Sequence, residues 1–366
     1  MTTLSVPRIS FAPRAPFADA LKSRVAAYFT STGRSERGDW RLFAKTVFSY
    51  ALLIGSYVSA IWWVQSGWGL LLAALGMVQG YVLIAFNVMH DGAHGSYSRR
   101  TWVNRLAGAS MDFIGSSALL WRQKHNQLHH TYTNIDGKDD DLALGRLLRL
   151  SPQQPWHPWH RVQHWYAPLL YSLLTLYLAI YSDWHKLVTG RIGHTPLLPR
   201  KWTDVAYFLA TKAFYVTYAL VIPMLFHPAW LVLLVFFGIH ALFGLTLSLV
   251  FQLAHIVEDL EFPQPDPANG RMATDWATHQ VQTTADFAPR NRLATFYMGG
   301  LNFQVEHHLF HHVSHVHYPA LHRIVRETCA EYGVPYRCFG TVREAVGSHF
   351  RFLRQMGRRP ALALST

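Results

Sequence analysis

The stretch GLLLAALGMVQGYVLIAFNVMHDGAH, residues 69–94, decides how this chain must fold. Residues 69–89 carry no charged side chain, and about 20 such residues, wound as a helix, cross the hydrocarbon of a bilayer. The apolar run ends directly on His90, with His94 four residues on. That spacing puts both rings on one face of a helix, where it leaves the membrane. Alone, such a pair is usually solvated. Whether it holds a metal depends on what the rest of the chain brings to the same surface.

Three further stretches are long and apolar enough to span: 46–65, 204–225 and 229–253. With 69–89 they make two hairpins, whose turns near Ser66–Gly67 and Phe226–Pro228 contain no Lys or Arg. A fifth apolar stretch, 166–181, is shorter and is expected to be interfacial or re-entrant. Half of the chain is hydrophobic and only 15% is charged, against roughly 25% in soluble domains. The segment before the first span carries Arg8, Arg14, Lys22, Arg24, Arg34, Arg37, Arg41 and Lys45, and positive charge marks the cytoplasmic side.

The expected fold is therefore all-α integral membrane: four transmembrane helices in two hairpins with a cytoplasmic helical cap. Residues 1–45 form a cytoplasmic tail with an amphipathic helix around 18–30, and 1–18 are expected to be disordered. Residues 46–89 are the first hairpin, 90–203 a cytoplasmic segment with interfacial helices, 204–254 the second hairpin, and 255–366 the cap. The N-terminus lacks the form of a signal peptide. The net charge of +12 fits attraction to an anionic leaflet, because the basic residues flank the spans. No nucleic-acid partner is expected.

This topology gathers histidines. The chain has 22. His90 and His94 lie at the exit of the second span and His255 at the exit of the fourth. His125, His129 and His130 fall in the middle segment (HNQLHH), and His307 and His308 in the cap (QVEHH). All eight lie on one side of the membrane. On an α-helix His125 and His129 share a face, and His130 points about 100° further round. His307 and His308 diverge similarly, with Gln304 one turn back beside them. A tetrahedral site takes about four ligands, so eight imidazoles suit a dimetal site better than a single ion. Imidazole accepts iron, copper, zinc or nickel.

HDGAH, KHNQLHHTYTNIDGKDDDL and NFQVEHHLF resemble the three histidine boxes of the membrane fatty acid desaturases. The closest likeness is to the front-end, linoleoyl-CoA-desaturase-like bacterial branch. FQLAHIVE, HVHYPAL and IVRETCAEYGVPY resemble other segments of that branch, and the likeness runs from about residue 45 to 340. It implies a non-haem di-iron centre with His90, His94, His125, His129, His130, His255, His307 and His308 as ligands. Zinc can take the iron positions in an overexpressed sample. Gln304 stands where some relatives have a histidine. His311 departs from the branch, which usually has Pro there, and is a further candidate ligand or ligand support. Asp91, Asp139, Asp140, Asp141, Glu258 and Glu306 are candidates to orient metal-bound rings, since such imidazoles usually donate their other N–H to a carboxylate or carbonyl.

The implied reaction is oxygen-dependent desaturation of a fatty acyl chain to a cis alkene, with O₂ as co-substrate. The substrate is an acyl-CoA, acyl-lipid or acyl-ACP. Trp121, Arg122 and Lys124 could meet its headgroup, and a buried apolar channel must hold the chain. Electrons are expected from a ferredoxin, or from cytochrome b5, with its reductase. No His-Pro-Gly-Gly haem motif is present, and the N-terminal tail is expected to be too short for a fused haem domain. These features point to a bacterial inner (plasma) membrane protein whose active site faces the cytoplasm. A related di-iron hydroxylase or acetylenase is the nearest alternative. A metal transporter is a distant one, because its ionisable ligands belong near the bilayer midplane, where this chain has essentially only Lys212 and His240.

Cys329 and Cys338 are expected to be ordinary thiols. In the cap, Pro319 should open a helix and Gly333 close it. His349 lies outside the boxes, and its replacement by Ala is expected to leave bound metal and turnover intact.

Overall fold

The computed structural model describes residues 9–64, 66–144 and 146–360. Four long apolar helices dominate it: Trp40–Trp63, Gly67–His94, Trp202–Met224 and Ala229–His255. Asp39 caps the first, accepting from the Arg41 amide, and Ser66 caps the second, its hydroxyl accepting from Gly69 N at 3.1 Å. Pro228 precedes the fourth. The outward faces are apolar: Phe48, Ile54, Leu72, Leu234 and Phe237 are all exposed. Trp62, Trp63, Trp68 and Trp230 cluster at the hairpin turns, while Trp40 and Trp202 stand at the opposite ends, all exposed. This is the aromatic belt of a membrane-spanning bundle. The chain is an integral membrane protein.

The first, second and fourth spans share a core built on Leu53, Met77, Val82, Phe86, Phe243 and Val250. Lys212 and His240, inside the third and fourth spans, are paired. Lys212 Nζ reaches Asp183 Oδ2 and the Gly115 carbonyl, each at 2.8 Å. His240 Nδ1 lies 2.9 Å from Thr175 Oγ1, and its other ring nitrogen meets the Tyr215 hydroxyl. The fifth apolar stretch is helical but breaks at Leu173 into two shorter pieces. One face packs on the fourth span, where the Ser172 carbonyl touches Gly244. The other leaves Trp165, Leu169, Ile180 and Tyr181 exposed. Two small strand pairs interrupt the helices: Arg191–Ile192 with Thr195–Pro196, antiparallel, and Ala285–Phe287 with Arg337–Phe339, parallel.

The N-terminal segment departs from expectation. Residues 1–8 lie outside the described residues, but 9–15 are ordered. Ile9 is buried, and Ser10 pairs with the cap through Met272 N to Ser10 O at 2.8 Å. The helix that follows, Pro16–Thr32, turns Phe17, Leu21, Val25 and Phe29 onto Leu321 and Val325 of the helix Tyr318–Tyr332. Its apolar face is spent on the cap. That cap helix has Pro319 in its first turn and Gly333 in a left-handed C-cap, as read from the sequence. Both cysteines are free.

Candidate metal centre

The ends of the second and fourth spans, the segment 118–142 and the short helix Gln304–Leu309 converge. They bring all eight box histidines into one cluster. His90, His94, His125 and His307 each offer a ring nitrogen, all within 4.8 Å of one another, and so do His129, His255 and His308. His130 joins the two sets, its ring centroid 4.6 Å from that of His307 and 4.4 Å from that of His308. The divergence of His307 and His308 on their helix thus sends one ring to each set.

Local helix geometry differs from the expected α-turns. Residues Gln123–His129 and Ala85–Met89 are π-helical. Wider turns of this kind recur at functional sites. Here the first cancels the offset expected for His130: its Nε2 comes within 3.2 Å of His125 Nε2. Gly92 permits the close approach of the first box to the helix Thr101–Gly108, since a Cβ there would lie 2.4 Å from Gly108 N.

Four of the box histidines have a partner on the outer ring nitrogen. His129 Nδ1 lies 3.1 Å from Asp139 Oδ2 and 3.3 Å from Asp141 Oδ2. His308 Nδ1 donates to Gln280 Oε1 at 2.8 Å, His255 Nδ1 to the Thr283 carbonyl at 3.3 Å, and His307 Nδ1 lies 3.1 Å from the Tyr318 hydroxyl. An Nδ1–H held this way leaves the Nε2 lone pair facing inward. Among the described residues, Nε2 of His90, His255, His307 and His308, and both nitrogens of His94, are buried with no hydrogen-bond partner. Buried polar atoms are rarely left so.

Electrostatics agrees. Burial pushes the imidazoles of His125, His130, His307 and His308 well below the ordinary range, and the neighbouring rings push them further. Neutral imidazole is the form that binds metal. For His129, burial also pushes down, but the Asp139 charge and hydrogen bond outweigh it and the ring is raised. A buried set of neutral rings with orphaned, inward nitrogens fits a metal cofactor.

The other expected site residues divide. Asp139 and Asp141 support His129. Asp140 does not touch a ring; its carboxylate faces Lys186 at 3.3 Å and Lys124 at 3.7 Å. Asp91 turns away from the cluster to His315 Nδ1 at 3.1 Å and Ser314 Oγ at 2.7 Å. Glu258 pairs with Arg351 at 2.8 Å, away from the site. Glu306 is buried but belongs to a separate cluster with Asp286, His322 and Tyr336. Gln304 is buried at the start of the third-box helix. The His311 ring sits 5.3 Å from His94 and 5.0 Å from His130, outside both ligand sets. Trp121 stacks on His125 with centroids 4.2 Å apart, so it walls the metal pocket. Lys124 is held by Asp141 at 2.6 Å. Only Arg122 of that trio is exposed.

Gln280, Thr283 and Tyr318 were not expected at the site. They are uncharged, and Gln280 and Thr283 lie far from the boxes in sequence; Tyr318 lies in HVHYPAL, a segment noted only as a whole. Asn134 was also missed. It takes a left-handed backbone with φ 58°, donates its amide N–H to Asp139 Oδ2 at 3.1 Å and its side-chain N–H to the His255 carbonyl at 3.1 Å. It thereby ties the second box to the end of the fourth span.

Deeper between the spans lies a mostly apolar cavity of about 70 Å³, with Met77, Tyr81, Ile239, His240 and Phe243 among its walls. Tyr81 and Phe243 pack with ring centroids 5.7 Å apart on its wall.

The defining sequence pattern of the fatty acid desaturases matches residues 60–340. The chain belongs to the fatty acid desaturase family. It is 36% identical over 98% of its length to the sn-1 linoleoyl-lipid 6-desaturase of Arthrospira platensis, covering 97% of that protein. The corresponding enzyme of Synechocystis is 34% identical over 97% of this chain and 99% of its own. The acyl-lipid (8-3)-desaturase of Physcomitrium patens is 35% identical over 92% of this chain and 71% of its own. The chain is thus a fatty acyl desaturase, an oxidoreductase with a metal cofactor. These relatives are desaturases, so the hydroxylase and acetylenase reading is not favoured.

Proposed function

We propose that the chain uses O₂ and two iron ions, held by the eight histidines, to place a cis double bond in an acyl chain esterified in a membrane lipid. The observation that carries this reading is the pair of neighbouring imidazole sets at one end of a four-span bundle. His90, His94, His125 and His307 would hold one ion, and His129, His255 and His308 the other, with His130 between. When bound, the iron pair supplies the oxidising power to remove hydrogen from unactivated methylenes, which no side-chain acid or base can do.

The chain's own residues prepare that site. Asp139, Gln280, Tyr318 and the Thr283 carbonyl fix the rings in the tautomer that presents Nε2. Trp121 closes one wall and keeps water from the rings. The cavity walled by Tyr81 and Phe243 is apolar, and it would receive the methyl end of the acyl chain. Two of the relatives are named for the 6-position of a linoleoyl lipid, which supports a carboxyl-proximal double bond. Acyl-CoA and acyl-ACP are the less supported carriers. The basic residues that precede or open the first span, Arg24, Arg34, Arg37, Arg41 and Lys45, support a site on the cytoplasmic side, which in a bacterium would be the inner face of the plasma membrane. Electrons would come from a ferredoxin or a cytochrome b5.

The experiment is a metal count. Protein purified from iron-supplemented cells and assayed by plasma mass spectrometry should hold two iron ions per chain. The variants His94→Ala and His255→Ala, one from each set, should each lower that number. Two zinc ions with no gain of iron on anaerobic reconstitution, or an unchanged count in both variants, would overturn it.

A further inference from the structure

Among the described residues, the box histidines are almost wholly enclosed. Of the eight box histidines, seven are buried and only His94 is partly exposed. His311 lies against its ring, half-buried, and His312 beyond it is exposed. The ring centroids step from His94 to His311 in 5.3 Å and from His311 to His312 in 5.9 Å. His311 therefore lies between His94, the least buried residue of the eight, and the exposed His312.

That surface is basic. The Arg37 guanidinium donates to the His312 carbonyl at 2.7 Å and to the Gly95 carbonyl at 2.9 Å, fixing a cation between the first and third boxes. Arg37 and Lys22 are the cations that act on the His312 ring, opposed by Glu36. Arg99, donating to Ser35 Oγ at 3.2 Å, extends the patch, with exposed Arg34 and Arg100 beside it. Lys22 and Arg34 make no side-chain hydrogen bond or ion pair among the described residues and are open to a partner.

Each desaturation takes two electrons and two protons from a –CH₂–CH₂– unit. Reducing O₂ to two waters takes four of each. Two electrons must therefore come from a reduced carrier, and two protons from solvent. Electron transfer weakens steeply with distance, so the carrier must dock where the cluster comes nearest the surface.

We propose that this face, centred on His312 and rimmed by Lys22, Arg34, Arg37 and Arg99, is the docking site of an acidic one-electron carrier protein. The proposal rests on the reading of the site as an oxygen-dependent redox centre. Charge complementarity sets the association rate and its dependence on salt. Opposed charges on exposed side chains are screened over about 8 Å at physiological ionic strength, so docking here should weaken sharply with added salt. Anionic lipid headgroups are a rival occupant, because Arg34 and Arg37 precede the first span. Lys22 argues against them: it lies on the helix Pro16–Thr32, which packs on the cap.

The test compares the intact protein with Lys22→Glu/Arg34→Glu in nanodiscs of neutral lipid, using a reduced plant-type [2Fe–2S] ferredoxin as probe. Binding is read by biolayer interferometry at two ionic strengths, and ferredoxin oxidation by stopped-flow absorbance. These readouts do not require an acyl product, so they separate this proposal from the identity of the reaction. The double variant should raise Kd at least fivefold, flatten its salt dependence, and slow ferredoxin oxidation at sub-saturating carrier while the metal content stays level. An unchanged Kd and salt dependence would overturn the proposal. So would a variant that changes only the binding of nanodiscs to anionic lipid vesicles, which would assign the face to headgroups.

Discussion

Asp139→Asn isolates the claim that an outer carboxylate holds a metal ligand. Asp139 is 2% exposed. Its Oδ1 lies 3.2 Å from His129 Nδ1 and accepts from Asp141 N at 3.0 Å, while Oδ2 lies 3.1 Å from the same ring nitrogen and accepts from Asn134 N at 3.1 Å. Both oxygens are acceptors. An asparagine in either orientation would turn its NH₂ against an N–H and would remove the charge that favours the ring's Nδ1–H. Losing such an outer partner typically costs about 10–100-fold in metal affinity, or about 1.4–2.8 kcal/mol. With both oxygens engaged, the upper end is expected. Asp141 Oδ2, 3.3 Å from the ring, gives partial replacement, so Asp139→Asn/Asp141→Asn should be weaker still. Asp140→Asn is the control: it meets two lysines and no ring, and should stay within about threefold. The assay is chelator competition followed by metal analysis. An Asp139→Asn affinity within threefold of the native protein, or an equal loss in Asp140→Asn, would refute the reasoning.

Gln280→Leu removes the acceptor of His308 Nδ1 and should lower metal affinity about 10-fold with little change in the melting temperature, measured by the same competition. Gly92→Ala places a Cβ 2.6 Å from Ala107 Cβ. Overpacking of this kind costs about 1–3 kcal/mol, so both thermal stability and metal occupancy should fall. His349→Ala should be destabilising by about 2–4 kcal/mol, read as a lower midpoint of thermal unfolding. His349 is buried, with Nδ1 donating to the Ile256 carbonyl at 2.7 Å and Nε2 3.0 Å from the Tyr171 hydroxyl. His322 gives a pH prediction. Burial lowers its pKa, but hydrogen bonds and charges from Asp286 and Glu306 outweigh this and raise it to about 10. A raised folded pKa contributes stability that is complete below the ordinary value near 6.5. That contribution declines as pH rises and is gone above about 10. The melting gap between the native protein and His322→Gln should therefore be widest near pH 6 and close by about pH 10. A gap that widens with pH would contradict this.

The spans and the cluster were legible because hydropathy and histidine spacing act locally. An apolar run of bilayer length, ending on a histidine, fixes both a helix and the level of its ligand. The π-turn at Gln123–His129 was not legible, because the same residues fit an α-helix, and only the tertiary pocket shows why the wider turn prevails. Adjacent acids also could not be told apart. Asp139, Asp140 and Asp141 look equivalent in the sequence, yet the turn after Gly137 sends Asp139 to His129, Asp140 to two lysines, and Asp141 to both His129 and Lys124. Asp91 and Glu306 lie beside box histidines along the chain but point elsewhere, since neighbours on a helix diverge by about 100°, and Glu258 lies in the turn past the end of the fourth span. The burial of His349 against Ile256, next to His255, was not legible either, because its distance from the boxes in sequence carries no packing signal.

The central claim is most directly tested by the lipids. The protein and its His308→Ala variant would be expressed with a ferredoxin and its reductase in cells whose acyl chains are known. Total lipids would then be analysed by gas chromatography–mass spectrometry with derivatisation that locates double bonds. The account predicts a new cis alkene, closer to the carboxyl end than any existing one, in the native sample and none in the variant. A hydroxylated or alkynyl product, or the same alkene with and without His308, would contradict it.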